Sequence, residues 1–282
     1  MLGLIKAPWK RANVGDLPVY QASTMSWLPG VVQGFTTRHG GVSIAPYERL
    51  NLGGHVGDDR DHVLENRRRL WSDLGYAETQ VAMAEQVHGD VVEVVTAGSL
   101  TPAPGADALV TAVPDVLLML YFADCVPVYF VDPVKRVVGL AHAGWRGTAA
   151  NIAAKTLQTM ERELGCRPDG CVAAIGPSIS AESYTVGRDV ADVFRNFARG
   201  RDVGAATAVT PSDEFAGKFQ LNLRQILFSQ LLAAGMRPDS IAVCGEDTCR
   251  NGRDFFSYRR DGVTGRMAAY LGVRSSLAPP AR

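Results

Sequence analysis

The apolar pattern is densest between residues 116 and 147. VLLMLYF fills 116–122, VPVYFV fills 126–131 and RVVGLA fills 136–141. Runs of this length, rich in aromatic and branched residues and separated by polar breaks, predict three successive strands. Asp132-Pro133-Val134-Lys135 is then the turn between the second and third. With Pro133 and Val134 at its centre, Cys125 falls directly opposite His142, with Cβ atoms roughly 4.5–5.5 Å apart. Pro127 has no N–H to give a ladder, which predicts an edge strand or a bulge there. A slip of one residue would put Cys125 and His142 on opposite faces.

Residues 1–20 suggest an irregular or edge-strand lead-in, and 31–37 a short strand that empties into Arg38-His39-Gly40-Gly41-Val42-Ser43. Paired glycines beside an arginine fit either an anion cradle or a plain surface turn. Asn51-Leu52-Gly53-Gly54-His55 is a second glycine-bearing loop. The spacing of Val63, Leu64, Leu70, Trp71 and Leu74 predicts a helix over 58–74, with Arg67-Arg68-Arg69 on its solvated side. Residues 81–87 and 91–95 are predicted strands, the first ending at His88-Gly89, and 108–112 a shorter one. A helix is expected over 149–164 with Thr148 as its N-cap. Arg146, just ahead of it, reads as an anion site at a helix N-terminus or as an exposed side chain on a capped turn.

Further strands are expected at 171–175, 241–244 and 255–258. Helices are expected at 188–198, with Val190, Val193, Phe194 and Phe197 inward, and at 221–234. Residues 200–213 are read as a mobile loop. Neither repeats nor composition breaks divide the chain, so one domain over 1–274 and a disordered tail at 275–282 are expected.

A hydrophobic content of 46% and charged content of 21% are ordinary for a soluble globular enzyme. Lys+Arg 29 against Asp+Glu 29 leaves no net field, and so no bulk-charge argument for nucleic acid or membrane binding. No apolar run approaches the ~18 residues of a membrane span, and the start lacks the apolar core of a signal peptide. The odd cysteine count (125, 166, 171, 244 and 249) with no Cys-x-x-Cys pair points to a reduced, cytoplasmic setting.

Five histidines are present, at 39, 55, 62, 88 and 142. His88 and His142 each follow an apolar strand and precede glycine or Ala-Gly, and Cys125 sits at an equivalent strand end after Asp124. Two imidazoles and a thiolate make a three-ligand set with one position open, the pattern of a catalytic zinc. The same residues also fit a bland reading, Cys125 as a small hydrophobe and the histidines as satisfied core residues.

Six segments, in this order, resemble one family. They are residues 34–43, Val87-His88-Gly89, Ala123-Asp124-Cys125-Val126-Pro127, Ala141-His142-Ala143-Gly144-Trp145-Arg146-Gly147, Ile175-Gly176-Pro177 and Phe256-Ser257-Tyr258-Arg259-Arg260. Together they resemble the YfiH-type laccase-domain family, described as multi-copper polyphenol oxidoreductases and as purine nucleoside phosphorylases. The likeness runs from about residue 30 to 270. It implies a four-layer α/β/β/α sandwich of mixed sheets, of the α+β class, in a single domain. It implies zinc on His88, Cys125 and His142, with purine nucleosides and phosphate as small-molecule partners. The implied activities are phosphorolysis of adenosine, inosine, guanosine and methylthioadenosine, and deamination of adenosine. The chain departs from the family at Ser178 and Ser180, where cysteine is frequent, and at Thr248-Cys249, where the order is usually reversed.

Phosphorolysis needs a held phosphate and stabilisation of the departing base. Arg38, Arg146 and Arg259 are the expected anion ligands. Asp124 is expected either to transfer the proton or to orient a histidine. The zinc-deaminase signature H-x-E with P-C-x-x-C is missing, so deamination would need another arrangement. Three rival readings stand beside this one. Cys125 and His142 form the nucleophile and base of a hydrolase or deamidase. His₂Cys is also a copper set, although a multi-copper oxidase needs roughly twice these histidines. The last rival is a protein that binds without catalysis.

Overall fold

In the structure, a computed structural model, residues 9–97, 102–198 and 207–276 are described, the side chains of 196–198 excepted. The first part of the chain runs β1 (Trp9–Val14), β2 (Leu17–Ala22), β3 (Val31–Thr36), α1 (Arg60–Leu74), β4 (Val81–Ala82), β5 (Val92–Val94) and β6 (Ala108–Thr111). Next come β7 (Leu117–Phe122), β8 (Val126–Asp132), β9 (Val137–Ala143), α2 (Trp145–Ala149), α3 (Ile152–Leu164) and β10 (Val172–Ile175). The rest is β11 (Thr185–Val186), α4 (Arg188–Ala198), β12 (Val209–Pro211), β13 (Phe219–Leu221), α5 (Leu223–Ala233), β14 (Ile241–Val243), α6 (Tyr258–Asp261) and β15 (Met267–Val273).

Two 6-stranded mixed sheets result, ordered β1-β2-β3-β15-β7-β4 and β14-β10-β8-β9-β6-β5, with a 3-stranded sheet β11-β13-β12 beside them. The alternation of side chains along each strand explains the layering. Leu118, Leu120 and Phe122 of β7 pack with Tyr129 and Val131 of β8 and Leu140 of β9 between the two large sheets. Leu117, Met119 and Tyr121 turn outward onto Leu70, Trp71 and Leu74 of α1. Val126, Val128 and Phe130 face Ile152, Leu157 and Met160 of α3 and Ile226 and Leu227 of α5. The stacking is helix, sheet, sheet, helix, the sandwich expected from the resemblance. Strands buried on both faces lose their polar alternation, which is why these segments read as unbroken apolar runs. At about 1.5–3 kcal/mol per fully buried large apolar side chain, this packing outweighs local propensity. Among the described residues no helix is long and apolar enough to cross a membrane.

β7 lies between β15 and β4, in the other sheet from β8 and β9. Several expectations are corrected. The β8–β9 pair begins Asp132↔Val137, so the turn holds residues 133–136. It forms because Asp132 Oδ1 accepts the N–H groups of Val134 (3.0 Å) and Lys135 (2.9 Å) while Arg136 takes φ 59°. Pro127, not Cys125, therefore pairs with His142. A shift of two residues keeps every side chain on its face. Pro127 is also not on an edge strand, since β8 lies between β10 and β9. Its carbonyl accepts from Gly176 N (2.9 Å), just past Ile175, the last residue of β10, so the ladder is already ending where the missing N–H would be needed.

The strand expected over 81–87 shrinks to β4. Beyond it the Gln86 amide replaces backbone pairing, donating to Tyr121 O (2.9 Å) and accepting from Tyr121 N (2.7 Å). The helix expected over 149–164 is α3, starting at Ile152, and a short α2 precedes it because Asn151 adopts φ 64° between the two. Gly144, not Thr148, caps the first of them. Residues 255–258 form no strand. Phe255 and Phe256 are buried, and Ser257 Oγ caps α6 by accepting from Arg260 N. Val193 is exposed rather than inward, while Phe197 lies outside the described side chains. Of the expected loop at 200–213, residues 209–211 are β12 and 200–206 lie outside the described residues. The tail at 277–282 also lies outside them. The lead-in read at 1–20 as irregular or an edge strand carries the edge strand β1, while its pairing with β2 and the strand β15 had no counterpart in the sequence reading.

Candidate metal centre and cavity

Cys125 stands where the chain passes from β7 in the first sheet to β8 in the second. His142 is the penultimate residue of β9, and His88 sits on the turn after β4 with φ 61°. A positive φ is strained for a residue with a side chain, and the local hydrogen bonding explains why it persists. Asp107, immediately before β6 and fully buried, accepts the consecutive N–H groups of Val87 (3.1 Å), His88 (3.0 Å) and Gly89 (2.7 Å). The same carboxylate meets His142 Nδ1 at 2.8 Å, leaving Nε2 to face the cluster. One aspartate thus orients both histidines. Sequence reasoning missed it; the available signal was an acidic residue set between alanines at the head of an apolar strand.

The ligand atoms of His88, Cys125 and His142 all lie within 4.8 Å of one another. The two imidazole rings meet edge-on at 4.9 Å between centroids. Tetrahedral zinc with ordinary Zn–N and Zn–S lengths needs ligand atoms about 3.3–3.6 Å apart. Small side-chain adjustments bring the three atoms to that spacing, so the donor set fits the ion in type, number and reach. Burial pushes the Cys125 thiol up, but His142 and then His88 outweigh it and bring it down to about 6. Burial pushes His142 down, yet Cys125 and Asp107 raise it to about 9. Without a metal the pair is a thiolate beside an imidazolium, and a metal ion would take the place of the shared proton.

The cluster opens into a cavity of about 590 Å³, within the ~300–1,000 Å³ usual for small-molecule sites. Trp145, Tyr184, Tyr258 and Tyr121 supply aromatic wall, and among the described residues Asp124 is the single carboxylate on the lining. Asp124 does not orient a histidine. Its Oδ1 accepts from Thr248 Oγ1 (2.8 Å) and its Oδ2 from Arg259 N (2.7 Å), tying the end of β7 to the start of α6.

Of the expected arginines, Arg146 and Arg259 line the cavity and Arg38 does not. The Arg38 guanidinium is spent on Glu48 O (2.9 Å) and Gly252 O (3.2 Å) and lies over the Phe256 ring. Arg146 lies over Trp145, and Arg259 lies over Tyr184 while donating to Thr185 O (2.8 Å). Arg266 and His55, given no role from sequence, also reach the lining.

A sandwich of two sheets with a His₂Cys cluster at the sheet crossing, beneath an arginine-bearing cavity, defines a protein with a small-molecule-sized cavity beside three metal-type donors. The chain belongs to the multi-copper polyphenol oxidoreductase laccase family, whose description matches residues 32–274. It is 40% identical over 272 residues to the purine nucleoside phosphorylase YlmD of Geobacillus stearothermophilus, covering 91% of this chain and 97% of that protein. It is 43% identical over 261 residues to a purine nucleoside phosphorylase of Deinococcus radiodurans, covering 91% and 93%. The crystal structure of YlmD from Geobacillus stearothermophilus superimposes with TM-score 0.87 at 38% identity, over 95% of this chain and 100% of that one.

Proposed function

We propose that this protein is a zinc-dependent purine nucleoside phosphorylase acting on adenosine, inosine, guanosine and methylthioadenosine, with adenosine deamination at the same site. The observation that carries this reading is the His88–Cys125–His142 cluster opening into a cavity with aromatic walls and arginines that have no carboxylate ion pair among the described residues. The names of the relatives support it.

Trp145, Tyr184 and Tyr258 offer faces on which a purine stacks. Arg146 and Arg259 hold the phosphate beside the ribose, and their charge balances the anion in a partly desolvated site. When bound by His88, Cys125 and His142, zinc would supply Lewis-acid polarisation of the purine. Asp124 is the proton-transfer group of this proposal, each carboxylate oxygen having one lone pair beyond the bonds to Thr248 and Arg259 N. Copper is the less favoured metal: among the described residues there is one such donor cluster, and His39 is turned to Asp254. Residues 1–274 act as one catalytic domain in this reading, and five unpaired thiols suit the cytoplasm.

One observation favours a second reading. Asp107, His142 and Cys125 are arranged as acid, base and nucleophile of a cysteine hydrolase. Both readings meet one experiment. Zinc-loaded protein is incubated with adenosine or inosine in phosphate, and the base and ribose 1-phosphate are separated. Wild type is expected to form both products, and Cys125→Ala to lose metal and turnover together. Untouched nucleosides would end the phosphorylase reading. Metal-free release of free ribose in place of ribose 1-phosphate would favour the hydrolase.

A further inference from the structure

The glycine-bearing loop at 51–55 has no part in the reading above, yet it reaches the cavity through His55. Its geometry is built around Arg266. A Cβ on Gly53 would come within 2.6 Å of Arg266 Cγ, so the loop accommodates the arginine stem only as glycine. Asn51 Oδ1 accepts Arg266 N (2.8 Å), and Arg266 O accepts Leu52 N (3.0 Å), which clamps the two segments together. Nη1 is held by Thr264 O (2.8 Å) and Gly265 O (3.0 Å). Nε and Nη2 make no hydrogen bond among the described residues, and neither does the His55 ring. Among the described residues no carboxylate forms an ion pair with Arg266.

This group is separate from the other two cavity arginines, which lie with Trp145 on α2 and with Tyr184 beside β11. Burial first, and then the Arg266 and Arg67 guanidiniums, hold the His55 imidazole below its ordinary value. Arg146, Arg259 and Arg266 thus bring to one cavity three guanidiniums that have no carboxylate ion pair among the described residues.

We propose that Arg266 and His55, set by the loop at 51–55, form a second oxyanion subsite that takes a phosphoryl group. That ligand is either free phosphate or the phosphate ester of a nucleotide substrate, and the choice of ligand class rests on the phosphorylase reading.

Calorimetric binding of inorganic phosphate, adenosine and adenosine 5′-monophosphate to wild type, Arg266→Met and His55→Gln tests it without requiring turnover. The Met variant keeps the backbone bonds to Asn51 and Leu52. It is expected to weaken the phosphoryl ligand about 10- to 100-fold, the loss typical of charge-assisted hydrogen bonds, and to leave adenosine within about threefold. If free phosphate is the ligand, phosphate binding falls, and the nucleotide and adenosine bind wild type alike. If an ester is the ligand, the nucleotide binds wild type more tightly than adenosine, and Arg266→Met erases the difference. Unchanged affinity for both phosphoryl ligands in Arg266→Met overturns the proposal, as does failure of both to bind wild type. Should that variant not fold, His55→Gln at an exposed position decides: weaker phosphoryl binding upholds the subsite and unchanged binding overturns it. Absence of phosphorolysis in the turnover assay would strike the reaction, not the subsite.

Discussion

At Asp107 a buried carboxylate accepts three consecutive N–H groups and faces His142 Nδ1, so burial, which would raise its pKa, is outweighed and the group is held below its ordinary value. Asparagine would present an amide N–H₂ where only acceptors fit. Asp107→Asn is expected to cost about 10–100-fold in zinc affinity, as loss of a ligand-orienting partner does, measured by competition with a chromophoric chelator. Unaltered affinity would remove Asp107 from that role. Cys125 gives a pH prediction. An acid held down to about 6 stays ionised as pH falls from 9, so metal-stripped protein should be alkylated at Cys125 at a near-constant rate from pH 9 to 7. The rate should fall only as pH drops through about 6. The stability this thiolate adds is present above the ordinary thiol value and is lost over the same descent. A rate that tracks an ordinary thiol, halving near ~8.5, would contradict the assignment.

The elements that carry the ligands meet at close backbone approaches. Gly147 of α2 is one, since a Cβ there would lie 2.9 Å from the Gly89 carbonyl, and backbone cannot swing aside. Gly147→Ala is therefore expected to push the His88–Gly89 turn from α2. Overpacking of this kind costs about 1–3 kcal/mol, or a Tm lower by about 2–12 °C, with weaker zinc binding alongside. Gly245→Ala, where an added Cβ meets nothing within 4 Å, is the control and should melt with wild type. Periodicity predicted α1 over 58–74, and it spans Arg60–Leu74 with Asp59 as its cap. At 149–164 it placed α3, which spans Ile152–Leu164, but not the left-handed Asn151 that separates α3 from the short α2, because that residue leaves the apolar spacing undisturbed.

Across the whole molecule, the three donors come from three separate stretches, but Asp107 holds both histidines by protein bonds that need no metal. Chelation should therefore leave the far-ultraviolet circular dichroism unchanged while lowering the melting temperature. With zinc at about 100 times its Kd, the loss is about 2.7 kcal/mol, or about 5–10 °C. Collapse of secondary structure on chelation would show instead that the metal holds the sheets together.

The chain's own letters determined the apolar runs, the helix spacing and the three donor types, because burial on both faces of a strand and on one face of a helix leaves a local periodic trace. They also carried the family, through short motifs at strand ends. Tertiary structure alone decided that β7 and β8 belong to different sheets, that Arg38 turns to Glu48, and that Arg266 enters the cavity. It also brought Asp107 beneath both histidines. Those outcomes depend on hydrogen-bond partners and glycine gaps far apart in sequence, which packing selects and no local pattern encodes.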